Sequence, residues 1–131
     1  MTFIANARMY SVTPGAAAAW KRLFAWLAQH SGVPLVAIDH AAPAPLEALW
    51  ARDDLACAFM CGFPFARSAV KPTIVAAPVP SGSRYAGKPV YMTDLVVRAD
   101  APFQTLHDTF GTRMGYTVES SQSGCLSLIH I

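Results

Sequence analysis

Charge is scarce in this chain. Asp, Glu, Lys and Arg make up 14% of its 131 residues, and the net charge is only +2. The basic residues are scattered rather than gathered on one stretch, which argues against a nucleic-acid partner. No window approaches the roughly 18 consecutive apolar residues that a membrane span requires. Residues 1–8 lack a basic segment followed by an apolar run, so no secretory signal is read there. Cysteine is scarce: Cys57, Cys61 and Cys125 are an odd set without a Cys-x-x-Cys pair. His30, His40, His107 and His130 are likewise dispersed. That pattern speaks against a disulfide framework and a structural zinc site, and no metal or cofactor is expected. Cys57 and Cys61, if in one strand, stand about 13 Å apart, beyond disulfide reach. They read as small buried hydrophobes. There is no internal repeat and no low-complexity tract.

What is present is apolar content, 53% of the chain, enough for a packed core in one domain or a domain with part of another. Residues 3–10 read as a first strand. Thr13 and Pro14 then form a helix start, the hydroxyl capping and the proline taking the first helical position. Ala16, Trp20, Leu23, Phe24 and Leu27 recur on one helical face. Gly32 and Pro34 close that helix. Residues 35–39 read as a second strand and 46–52 as a short helix packing Leu46, Leu49 and Trp50. Residues 55–60 lack alternation and read as a third strand buried on both faces. A turn with Gly62 and Pro64 follows, opening another short helix. Further strands are expected over 73–79, 91–97 and 113–119, with a helix over 103–110 stopped by Gly111. Strands alternating with helices predict an α/β fold with a mostly parallel sheet flanked by helices.

In such sheets ligands sit beyond the carboxyl ends of the strands. Three of these ends pair an aromatic or hydroxyl with a helix start: Met9-Tyr10-Ser11, Cys61-Gly62-Phe63-Pro64 and Ser121-Gln122-Ser123-Gly124. The last is rich in hydroxyls and is expected to open a helix. The free N–H groups of a first helical turn, with hydroxyls beside them, suit a phosphate-like anion. Ordinary helix capping is the competing explanation.

These segments, together with the run Tyr91-Met92-Thr93-Asp94-Leu95-Val96-Val97-Arg98-Ala99-Asp100, resemble the PhnD/SsuA/transferrin-type substrate-binding proteins, the phosphate/phosphonate branch of periplasmic ABC-transporter components. The resemblance covers residues 3 to 124. It implies a type 2 periplasmic-binding fold, two α/β lobes closing over a ligand. Residues 1–97 would form lobe one, with 91–97 the hinge strand. Residues 98–125 would begin a second lobe whose larger part is missing. It also implies that Ser121, Ser123 and Gly124 grip oxyanion oxygens, with Gln122 between them. Tyr10, Gly62, Phe63, Tyr91 and Thr93 would line the same site. Phe63 stands where phosphonate binders often carry tyrosine, so one hydroxyl contact is absent. The implied role is non-enzymatic: binding a small anionic solute and delivering it to an ABC permease and ATPase, touching the membrane only through that transporter. The implied compartment is the periplasm, whereas the unread signal fits the cytoplasm.

Two other function classes stay open. One is a cytoplasmic enzyme of the same fold in precursor biosynthesis, with Cys61 or His107 as the acting group. The other is a cytoplasmic sensor domain. Asp53-Asp54 reads as a solvated turn before a metal pair, and Trp20, Trp26 and Trp50 as packing residues. Residues 126–131, Leu-Ser-Leu-Ile-His-Ile, depart from the expected helix and match one translation frame of a transposase adapter. They are expected to be a non-native tail on a truncated chain.

Overall fold

The computed structural model describes residues 1–126, and the expected tail lies outside them from residue 127 on. Two compact units divide the chain, the first being Met1–Met60 and the second beginning at Cys61.

The first unit holds a three-stranded parallel sheet of β1 (Phe3–Asn6), β2 (Leu35–Ala37) and β3 (Leu55–Ala58) in the order β2-β1-β3. Phe3, Ile4 and Ala5 face Leu35, Val36 and Ala37, while Ile4, Ala5 and Asn6 face Leu55, Cys57 and Ala58 across a bulge. Parallel neighbours need long crossovers, and helices supply them. Helix α1 (Pro14–Ser31) links β1 to β2, and α2 (Leu46–Trp50) lies between β2 and β3.

Helix α1 starts and stops as the sequence dictates. The Thr13 hydroxyl accepts from the Ala16 N–H at 3.1 Å, and Pro14 occupies the first turn. Gly32 ends the helix at φ +70°, a backbone conformation that costs glycine nothing. Its inner face places Phe24, Trp20 and Leu27 on Ala5, Ala7, Ala37, Cys57 and Phe59. On α2, Leu49 is fully buried.

The strand buried on both faces is β1, with Ile4, Ala5 and Asn6 all buried. The expectation placed that role on residues 55–60. Instead β3 is an edge strand and only partly buried. A sheet's central strand is covered by its neighbours and by helices, whatever its own alternation.

The second unit is mostly irregular. Helix α3 (Gly62–Arg67) follows Cys61, and the Lys71 ammonium closes its far end on the carbonyls of Phe65 and Ser68 at 3.0 and 2.8 Å. Short 3₁₀ turns stand at Ser83–Tyr85 and His107–Thr109, and a π-helical turn at Gln122–Leu126.

The strands expected over 73–79, 91–97 and 113–119 are not formed among the described residues. A strand needs a neighbouring strand for its N–H and C=O groups, and among the described residues none of these segments pairs with one. Val75 and Val96 are each 87% exposed. Pro78 inside the first segment and Gly115 inside the third work against strand pairing in the sequence itself. The helix expected over 103–110 is a single 3₁₀ turn, His107–Thr109, with the Asp108 carboxylate accepting the Gln104 and Thr105 N–H groups at 2.8 Å each. Gly111, expected to end it, lies one residue past the cap: the turn stops at Thr109, Phe110 is extended, and Gly111 follows at φ +78°.

Candidate functional site

Tyr10 lies in the first unit, in a 3₁₀ turn (Arg8–Tyr10) beyond the carboxyl end of β1. Asn6 sets that end: its amide donates to the Ile38 carbonyl at 2.7 Å and its oxygen accepts the Arg8 N–H at 2.8 Å. The Tyr10 ring meets Phe59 edge-on at 4.8 Å and Trp20 at 6.5 Å, and the Trp20 indole donates to the Tyr10 carbonyl. This corner is aromatic packing, with an apolar hollow of about 370 Å³ lined by Tyr10, Ala16, Ala19, Trp20 and Leu23.

The other candidates belong to the second unit, and there most of them converge on the Ser121–Gly124 turn. The Ser121 carbonyl accepts the Cys125 and Leu126 N–H groups at 3.2 and 3.1 Å, the wide spacing of a π turn. The Ser121 hydroxyl accepts the Gly124 N–H at 2.9 Å, and the Gly124 carbonyl receives the Thr117 N–H at 3.2 Å. Gly124 is sterically required: a Cβ there would overlap the Thr117 hydroxyl and stand 2.9 Å from the Ser121 hydroxyl.

Two other segments reach this turn, the Tyr91–Thr93 stretch and the Cys61–Gly62 corner. Thr93 donates its hydroxyl to the Ser123 carbonyl at 3.3 Å. The half-exposed Tyr91 places its phenol by Cys61 and the Ser123 hydroxyl. Partial desolvation, then the Cys61 thiol, push that phenol's pKa up, and Ser123 pulls it back. Gly62 faces the Gln122 side-chain oxygen, 3.8 Å from where a Cβ would stand. Helix α3 and the π turn are thereby neighbours.

Cys61 is buried, and burial raises its thiol pKa, with an opposing hydrogen bond from the Gln122 backbone. A catalytic thiol needs the opposite shift. His107 stacks at a tilt against Phe110, ring centres 4.8 Å apart. Phe63 is half-buried under the Arg67 guanidinium at 5.6 Å. Asp54 is taken by Arg52 through two bonds of 2.8 and 2.7 Å.

The expected row of free helix N–H groups is not what the turn presents. Gly124, Cys125 and Leu126 all direct theirs to Ser121. What the turn offers is hydroxyls: Ser121, Ser123, Thr93 and Tyr91. Thr117, which fixes Gly124, was not singled out by the sequence, although a threonine close before a Ser-Gly turn is a usable signal. Arg84 and Asp94, which pair beside the Tyr91–Thr93 stretch, were missed as well.

A family model described as "ABC transporter, phosphonate, periplasmic substrate-binding protein" matches residues 12–128. The chain belongs to that family. The phosphonate-binding family is one of transporter substrate-binding components, not of enzymes, and its members are periplasmic. Its α/β character agrees with the parallel sheet and flanking helices of the first unit. No helix among the described residues is long and apolar enough to cross a membrane. No curated protein and no solved structure matches the chain.

Proposed function

We propose that the chain binds a small oxyanion-bearing solute, phosphonate- or phosphate-like, through the hydroxyls gathered at the Ser121–Gly124 turn, and serves an ABC importer. The observation that carries this is the meeting of Tyr91, Thr93 and the Cys61–Gly62 corner on that turn, within a family of phosphonate-binding components. A hydroxyl that accepts one hydrogen bond still has its own proton to donate. Ser121 is in that position, since it accepts from Gly124. Ser123 and Tyr91 add donors, Gln122 lies within the turn and Gly62 borders it. Donors aimed at one tetrahedral anion bind it without requiring a cation.

Phe63 supplies no hydroxyl, so the site makes one contact fewer than a tyrosine would give. Tyr10 enters this reading through the family resemblance alone. So do the lobe boundary at residue 97, closure over the solute, and docking on a permease with its ATPase. Transport would follow from the solute's preference for a closed state.

Calorimetric titration of the folded protein with phosphate, methylphosphonate, a sulfonate and a thiamine-like phosphate ester tests the proposal. Heat is expected with methylphosphonate or phosphate. No heat from any of them, with a cooperative unfolding transition proving the fold intact, overturns it.

A further inference from the structure

Tyr91 and Thr93 meet the Ser123 turn, while the residues alternating with them meet something else. Met92 places its sulfur 3.3 Å from Arg84 Nε, and Asp94 receives both ends of the same guanidinium, at 3.0 Å from Nη1 and 2.9 Å from Nη2. Residues 91 and 93 thus face the turn, and 92 and 94 face Arg84.

Arg84 is itself held in place. It sits in the 3₁₀ turn Ser83–Tyr85, with the Tyr85 N–H on the Gly82 carbonyl at 3.0 Å and the Ala86 N–H on the Ser83 carbonyl at 3.1 Å. The chain then reverses through Ala86 at φ +50° and Gly87 at φ +68°, and the Lys88 N–H returns to the Tyr85 carbonyl at 2.9 Å. The guanidinium also lies 5.7 Å from the centre of the Tyr85 ring. Exposed ion pairs ordinarily contribute little, but a two-pronged arginine–carboxylate pair on a preset turn is the arrangement with geometric force.

We propose that Arg84 is a positioning residue for the solute site, gripping Met92 and Asp94 so that Tyr91 and Thr93 stay on the Ser123 turn. The ligand-binding half of this idea rests on the proposed oxyanion site, and the other half on geometry alone. Lysine should replace Arg84 only in part, since a point charge cannot make the fork.

The test uses Arg84→Gln, Arg84→Lys, Thr93→Val and the double variant Arg84→Gln/Thr93→Val, titrated with methylphosphonate and phosphate. Arg84→Gln should weaken binding by about three- to tenfold, the scale of one or two hydrogen bonds. Arg84→Lys should recover part of that loss. The double variant should lose less than the product of the single losses, because Arg84 acts through Thr93. Unchanged affinity, or independent effects, overturns the proposal. Hydrogen exchange on the ligand-free protein decides it separately. In Arg84→Gln, exchange should rise in 91–94 and in 121–124 together, while helix α1 stays as protected as before. A rise confined to 91–94, or none, overturns the clamp. If the wild type binds neither anion, the oxyanion site fails, and hydrogen exchange still decides whether Arg84 holds the turn.

Discussion

Thr93 donates its hydroxyl to the carbonyl of Ser123, 30 residues further along the chain. That bond ties the Tyr91–Thr93 stretch to the turn where the hydroxyls collect. Thr93→Val keeps the shape and removes the donor. The expected loss is about 0.5–1.5 kcal/mol in the turn's local stability, read as faster amide exchange at 121–124. Methylphosphonate affinity should fall by a similar amount. Unchanged exchange would mean that the bond does not hold the turn.

Gly124 and Gly62 border the same site but differ in the space around them. A methyl at Gly124 meets Thr117 and Ser121 at overlapping distances, whereas at Gly62 the nearest group is the Gln122 oxygen at 3.8 Å. Gly124→Ala should therefore destabilise by about 1–3 kcal/mol, the usual range for overpacking. Gly62→Ala should change little. Urea unfolding of the two variants checks the contrast, and equal effects would contradict it.

Burial drives the Cys61 thiol above its ordinary pKa, and the Gln122 backbone only partly offsets this. A raised pKa means that the folded state keeps the proton longer than the unfolded chain does. The associated stability is complete below the ordinary thiol pKa of about 8.5 and declines as pH climbs through the raised value. At neutral pH the folded protein should alkylate at Cys61 more slowly than the unfolded chain. Iodoacetamide labelling read residue by residue by mass spectrometry measures this. Faster labelling in the folded protein would reopen Cys61 as a nucleophile.

Asn6 is a buried polar residue at the end of β1, bonded to the Ile38 carbonyl and the Arg8 N–H. Asn6→Ala leaves both partners short of a bond, at a cost of about 1–3 kcal/mol. The unfolding midpoint should drop accordingly, and a neutral result would mean that water replaces the amide freely.

Local chemistry with a single steric answer was legible in the sequence. Thr13, Pro14 and Gly32 bound α1 because a hydroxyl cap, a proline and a left-handed glycine each have few other uses. The parallel character of the sheet was legible as well, from strands alternating with helices. The stretches at 73–79, 91–97 and 113–119 were misread because a β-rich composition states a preference, while a strand requires a partner. Of the site, the Ser-Gln-Ser-Gly turn and residues 91 and 93 could be found from residue types and a family pattern. Arg84 could not, since its grip on Asp94 depends on a chain reversal at Ala86 and Gly87 that composition does not reveal. Thr117, which occupies the space that makes residue 124 glycine, was overlooked although it stands just before the Ser-Gly turn.

The claim that hydroxyls at the turn hold an oxyanion is tested most directly by the phosphorus NMR signal of methylphosphonate, recorded with the wild type and with Ser123→Ala. Ser123→Ala removes a hydroxyl that faces Tyr91 and leaves the Ser121–Gly124 bond in place. The signal should broaden or shift with the wild type, and Ser123→Ala should need about tenfold more protein for the same effect, the change expected on losing one donor to a charged group. A signal that folded wild-type protein leaves untouched, or that both proteins perturb equally, contradicts the claim.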